Sequence, residues 1–299
     1  MQTPRPAALP AVLAAFAILY LVWGTTYLAT REVVAVLPPL LSRAACCIVA
    51  GAILVLGGLA LGAKSPTRAE WAAAAANGTL LFAGCHGLLS VAQQHVASGL
   101  AALMIATIPL WLPLLGWAAP GGTRPGWPTF AGALLGLAGI AVLTGGAGAA
   151  GGLSFAWAVV LLLSALCWAA GTVLGRHLPR PSSAALAAGM ALLAGGTVLG
   201  LIGVAMGEAS VDWPSRPGGR VWAALAYLML GSYVVAFGCY LWLLDRQPVE
   251  RVGTYAFVNP LVAVLAGWLL AGEELNIGVG VAAALIISAV VVTVSAGRS

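Results

Sequence analysis

Charge is what this sequence has least of. Only 7% of its 299 residues are Asp, Glu, Lys or Arg, against about 25% in a soluble domain, so a water-facing surface cannot be built from it. Long polar stretches are missing too, which leaves no room for a soluble domain between the apolar runs. The five cysteines, Cys46, Cys47, Cys85, Cys167 and Cys239, lie in apolar runs without paired or metal-ligand spacing and read as small packing residues. His86, His95 and His177 fall on different segments and show no zinc spacing. No phosphate loop and no nucleophile with its base can be found, so neither nucleotide-driven work nor intramembrane hydrolysis fits, and no cofactor is expected. The net charge of +5 comes from scattered rather than clustered basic residues and gives no reason to expect a nucleic-acid partner.

What is present in excess is apolar. At 62% hydrophobic residues and a mean hydropathy of +1.03, the chain is expected to be an all-α integral membrane protein with the lipid bilayer as its main partner. A bilayer core takes about 20 apolar residues per helix. Runs of that length predict ten spans, at 11–30, 40–61, 71–92, 97–117, 129–145, 154–175, 184–206, 221–243, 252–271 and 277–296. Arg5 precedes an apolar run as in a signal peptide, but no cleavage site followed by a polar mature domain is seen, so this run is taken as the first span. Basic residues favour the cytoplasmic side of a membrane. One side collects Arg5, Lys64, Arg68, Arg124, Arg176, Arg180, Arg246, Arg251 and Arg298, the other Arg31, Arg216 and Arg220, with Arg43 inside a span. That bias predicts cytoplasmic N- and C-termini.

The spans also repeat. Laying Pro109 on Pro260 places Leu110 on Leu261, Leu114 on Leu265, Gly116 on Gly267 and Trp117 on Trp268, and a nearly equal offset places Trp23 on Trp168 and Arg31 on Arg176. Each half therefore carries one copy of a unit, residues 1–150 with helices 1–5 and residues 151–299 with helices 6–10. Five spans per copy force the second to enter the membrane from the opposite side. A 5+5 inverted repeat is typical of secondary transporters, whose substrate site lies near the midplane at the pseudo-two-fold axis.

Trp23-Gly-Thr-Thr-Tyr27, Pro38-Pro39 with Arg43, Ser98-Gly99-Leu100-Ala101-Ala102 with Ile108-Pro109-Leu110, and Asn259-Pro260 followed by Gly272-Glu273 occur in the order found in the EamA family of the drug/metabolite transporter superfamily. The chain resembles that family, and its YedA- and YddG-like exporters, over essentially its whole length. The resemblance implies a ten-helix carrier of the inner membrane that exports amino acids or related small metabolites. The second half departs from symmetry in having no intramembrane arginine where Arg43 would map.

Candidate site residues follow from polar positions that lipid cannot satisfy. Tyr20, Trp23, Tyr27 and Thr30 share one face of helix 1, and Thr79, Phe82, His86, Ser90 and Gln93 form a stripe along helix 3. Gln94 and His95 lie at its end and are expected to be interfacial. Trp168 and Thr172 come from helix 6, and Tyr233, Phe237 and Tyr240 from helix 8. Pro109 and Pro260 each remove a backbone hydrogen bond and are hinge candidates, and Asn259 adds an amide beside one of them. Arg43 has two readings: an anchor for a substrate carboxylate, or, favoured from sequence, a structural ion pair with Glu273 or Glu32. Gly132, Gly136 and Gly139 are expected to pack inside the chain rather than across a dimer contact.

The function expected is export of amino acids, aromatic ones included, or related small metabolites by alternating access. Export of lipophilic cations is the alternative within transport, and it would call for a buried carboxylate. Yet Glu32, Glu70, Glu208, Asp212, Asp245, Glu250, Glu273 and Glu274 all fall in loops or at helix ends. A non-transporting membrane scaffold is the alternative outside transport. The oligomeric state, monomer or homodimer, is open. His86 is left as the titratable mid-membrane side chain besides Tyr and Cys, and is expected to give the cavity a hydrogen bond in facilitated transport rather than to carry a proton.

Overall fold

A computed structural model describes residues 8–122, 124–144, 153–211, 217–244, 246–247, 249–252 and 254–296. Arg5, Asp212, Arg216, Asp245, Arg298 and the expected repeat boundary near residue 150 lie outside them, as does the side chain of Glu250. The described residues are helical, with no strand. Eight helices are long and apolar enough to cross a membrane: α1 (Leu9–Val34), α2 (Pro39–Ala60), α3 (Arg68–Ala92), α4 (Ser98–Ala118), α5 (Trp127–Thr144), α6 (Phe155–Leu174), α7 (Ala184–Ala205) and α8 (Gly219–Leu243). Two more follow, α9 (Tyr255–Ala271) and α10 (Ile277–Ala296), whose apolar stretches Val258–Ala271 and Ile277–Thr293 are shorter.

The starts and stops have local causes. Pro39 occupies the first turn of α2, where a missing N–H costs nothing. Thr67 and Glu70 form a reciprocal capping box on α3. Gly272 ends α9 at φ +65°, a left-handed conformation that L side chains resist. Leu61, Ile277, Phe155 and Trp127 are exposed, as expected of side chains solvated by lipid rather than water.

Packing is pairwise. α2 lies along α7 and α5 along α10. α1 contacts α8 and α9, α6 contacts α3 and α4, α3 leans on α7, and α2 on α8. Small residues permit the closest approaches: a Cβ on Gly132 of α5 would sit 2.1 Å from the Thr293 hydroxyl of α10. Gly136 and Gly139 meet Ala289, Ile286 and Ala282 of the same helix, so the glycine face of α5 is spent inside the chain, as expected.

Three helices depart from regular α geometry. α3 and α8 each widen into π-helical turns, at Thr79–His86 and Tyr227–Ala236, and such turns concentrate at functional sites. In α3 the Ser164 hydroxyl of α6 donates to the Cys85 carbonyl at 2.7 Å, satisfying a backbone acceptor inside the widened region. α4 breaks at Ala106–Thr107, between Ser98–Ile105 and Ile108–Ala118. Pro109 cannot donate to the carbonyl four residues back, which accounts for the break.

Candidate functional site

A cavity of about 130 Å³ lies among the irregular segments. Its wall takes Trp23, Thr26, Tyr27 and Thr30 from α1, Arg43 from α2, Phe82 and His86 from α3, and Trp168 from α6. Ser232, Tyr233 and Phe237 of α8 and Tyr255 and Asn259 of α9 complete it. Ile105 and Ile108, on either side of the α4 break, also line it, and Asn259 immediately precedes Pro260, so both proline sites border the same space. A larger concavity of about 420 Å³ sits at the helix ends around Arg31 and Glu273. The interior cavity is the candidate site, because it brings buried polar groups from many helices together with aromatic faces.

Arg43 is the dominant feature. It is 4% exposed, and among the described residues no carboxylate pairs with it. Its Nε donates to Ser90 Oγ at 3.1 Å, Nη1 to the Tyr233 hydroxyl at 3.2 Å, and Nη2 to Thr30 Oγ1. The ion pair expected from sequence is therefore corrected. Glu273 pairs with Arg31 and Glu32 with Arg220, because both acids sit at the helix ends while the Arg43 guanidinium turns inward among hydroxyls. Guanidinium carries five N–H donors. Three hydroxyls use three of them, leaving one on each terminal nitrogen, the pattern a bidentate carboxylate takes.

The network continues through Tyr233. Since its oxygen accepts from Arg43, its hydrogen is free to go to His86 Nδ1, 2.7 Å away. In the tautomer in which Nδ1 accepts from Tyr233, the ring proton sits on Nε2 and His86 is a neutral imidazole with one N–H left to donate. Aromatic rings close the remaining sides. Trp23 lies edge-on to Tyr255 with centroids 5.2 Å apart and tilts over Phe237 at 6.3 Å, and Phe82 meets Trp168 edge-on at 6.4 Å. Asn259, 8% exposed, lines the cavity and has a side-chain oxygen with no partner, a buried acceptor left unsatisfied.

Trp23, Tyr27, Arg43, Phe82, His86, Trp168, Tyr233, Phe237 and Asn259 thus line one cavity. Ser90 stands one layer behind, holding Arg43. Thr79 is not in the wall; its hydroxyl donates to the Ala75 carbonyl. The wide turn that begins at Thr79 breaks the three-and-four spacing on which its inclusion rested. Gln93, also in that stripe, donates to the Tyr27 carbonyl at 2.8 Å and ties α3 to α1. His95 stacks on Trp157 at 4.4 Å. Tyr255, Ser232 and Thr26 are wall residues that sequence reasoning passed over. Tyr255 lies one turn before Asn259, so the helical period held the signal for it. Among the described residues no cluster of His, Cys, Asp or Glu could hold a metal ion.

Comparison with known proteins fits this architecture. The EamA-like transporter family matches residues 9–145 and again 155–295. The chain is 35% identical over 260 residues to the inner membrane transporter YedA of Escherichia coli (strain K12), covering 86% of this chain and 82% of that one. It is 32% identical over 254 residues to the aromatic amino acid exporter YddG of Ancylobacter novellus, covering 82% and 83%. A solved crystal structure superposes with a TM-score of 0.64 at 25% identity, over 97% of this chain and 99% of that one. Two family matches that together span nearly the whole helical bundle, with full-length relatives named as transporters, establish that the chain belongs to the EamA-like transporter family and is a multi-pass membrane transporter of that type.

Proposed function

We propose that the protein exports a small carboxylate-bearing metabolite, an amino acid with aromatic ones included, across the inner membrane by alternating access. The observation that carries this reading is Arg43, a cation buried in the cavity whose partners among the described residues are neutral hydroxyls. An unpaired charge in low dielectric is costly, and a substrate carboxylate offsets that cost. The aromatic wall suits an apolar or aromatic side chain, and the name of the relative YddG, an aromatic amino acid exporter, points the same way. Lipophilic cations fit poorly, since the wall presents a fixed positive charge.

The reading includes ten transmembrane helices in a 5+5 inverted repeat, units 1–150 and 151–299, with both termini in the cytoplasm. Two observations support the repeat. The family matches each half separately, and exchanging each helix for the one five further on maps the α1·α9 packing onto α6·α4, α1·α8 onto α6·α3, and α3·α7 onto α8·α2. Pro109 and Pro260 then act as hinges beside the site. A reporter fused after Ser299 is expected in the cytoplasm and one inserted between Gly207 and Arg220 outside; both on one side would break the inverted arrangement.

Purified protein in liposomes, loaded with a panel of labelled amino acids and assayed by counterflow, tests the substrate. Counterflow of amino acids but not of their amide derivatives is expected. Equal transport of carboxylates and amides, or of lipophilic cations alone, would overturn the carboxylate reading.

A further inference from the structure

The two ends of the helical bundle are held together differently. Where α1 ends and α2 begins, three carboxylates each reach from one half of the chain to the other. Glu273, in the loop after α9, accepts from the backbone N–H of Ser98 at 2.7 Å and of Gly99 at 3.0 Å, the first turn of α4, and pairs with Arg31 at the end of α1. Glu208 accepts from the N–H groups of Leu40 and Leu41 that open α2, and Glu32 pairs with Arg220. At the opposite end, among the described residues, the side-chain hydrogen bond between the halves is neutral, the Tyr20 hydroxyl against Thr254 Oγ1.

Glu273 is the best built of the three. Its side chain is 8% exposed, and two backbone donors at a helix N-terminus plus a guanidinium meet its two oxygens, the strongest arrangement for a carboxylate. Burial by itself would raise its carboxyl, but the Gly99 and Ser98 N–H groups and Arg31 outweigh burial and hold it below its ordinary value. Room for it depends on Gly267, where a Cβ would stand 2.3 Å from a Glu273 oxygen. The repeat offset that lays Pro109 on Pro260 lays Gly121 on Gly272, both at positive φ (75° and 65°), and Gly122 on Glu273. The backbone turn is thus present in both halves, but the latching side chain in one.

We propose that Glu273 is a one-sided latch: it holds shut the end of the transporter at Arg31, while among the described residues the Gly122 end has no counterpart, so the resting protein favours access from the Gly122 end. With the termini in the cytoplasm this is the inward-facing state, ready to load a substrate for export. The proposal rests on the alternating-access reading but not on the identity of the substrate, and its test uses no substrate.

Two cysteine reporters read the two ends. Leu100→Cys sits beneath the latch, at the floor of the concavity about Arg31 and Glu273, and Val252→Cys in the apolar cluster at the other end; both positions are buried in the structure. Purified protein in nanodiscs is treated with a membrane-impermeant maleimide, and the parent protein gives the background from its own cysteines. Glu273→Gln, which keeps the shape but loses the charge and one acceptor, is expected to speed labelling of Leu100→Cys by about tenfold and to slow Val252→Cys. Arg31→Gln, at a partly exposed position, is expected to speed Leu100→Cys by about threefold, and it carries the test if Glu273→Gln does not fold. Unchanged labelling of Leu100→Cys in a monodisperse variant, or a rise at both reporters together, would overturn the latch and leave Glu273 a helix cap.

Discussion

The two halves of the chain share one packing plan and contribute unlike chemistry to the cavity between them. The first half brings the charge and its first support: Arg43, the hydroxyls of Thr30 and Ser90, and the His86 imidazole. The second brings Tyr233, which joins Arg43 to His86, together with Trp168, Phe237, Tyr255 and the amide of Asn259. Positions facing the shared cavity meet only one ligand and are free to diverge. Since the guanidinium of one half is held by a hydroxyl of the other, the charge also senses how the halves sit against each other.

If the contribution of the first half dominates, Arg43→Ala should abolish counterflow, a loss of a hundredfold or more. Arg43→Lys should recover little, because an ammonium cannot reproduce the planar fork. Rates are compared at equal amounts of folded protein, and retained transport of carboxylates in Arg43→Ala would assign the arginine to structure alone.

Tyr233→Phe removes the link between halves while keeping the ring. It takes one acceptor from Arg43 and the donor from His86, groups for which a lost charged hydrogen bond costs about 1.5–3 kcal/mol. Half-saturation should rise by about tenfold or more, with smaller effects on folding. If Tyr233→Phe is silent, the halves act on the substrate independently.

His86→Gln should act less, raising half-saturation a few-fold and leaving the pH profile of counterflow unaltered, because an imidazole that accepts at Nδ1 from Tyr233 is already neutral and serves as a donor. A strict need for an imposed proton gradient that disappears in His86→Gln would show that the ring carries the proton.

The smallest effect expected is at the latched end. Because Glu273 titrates below its ordinary value of about 4.3, its ionised form favours the folded state. That contribution is complete above the ordinary value and is lost as pH falls through the lowered one. The charged groups about it are Arg31 from α1, Glu274 beside it in the loop, and the Glu32 and Arg220 pair at the same end. The gap in thermal stability between the parent and Glu273→Gln should be constant from pH 7 to about 5 and shrink below pH 4. A gap that widens on acidification would mean the carboxyl is needed protonated.

How much could be read in advance differs from residue to residue. Trp23, Tyr27, His86 and Tyr233 were legible because a polar or aromatic group in the middle of an apolar helix needs a partner that lipid does not offer. Thr79 was misread because helical spacing assumes a constant turn, and nothing local marks Thr79–His86 as π-helical. Arg43 was recognised as important and given the wrong partners. Its choice lay between acids on the same side of the membrane and hydroxyls of Thr30, Ser90 and Tyr233, the last 190 residues away, and sequence distance ranks neither.

By itself the sequence determined the class and the family: apolar runs of bilayer length must satisfy their backbones internally, so they become helices, and the order of the short motifs within them is that of the EamA-like transporters. The tertiary structure alone decided which groups converge on the cavity, that no acid among the described residues pairs with Arg43, and that Glu273 reaches across to Ser98, Gly99 and Arg31. Those outcomes depend on the rotation and depth of each helix against its neighbours. Packing between surfaces far apart in the chain sets both, and in an apolar helix almost any face is free to turn toward lipid.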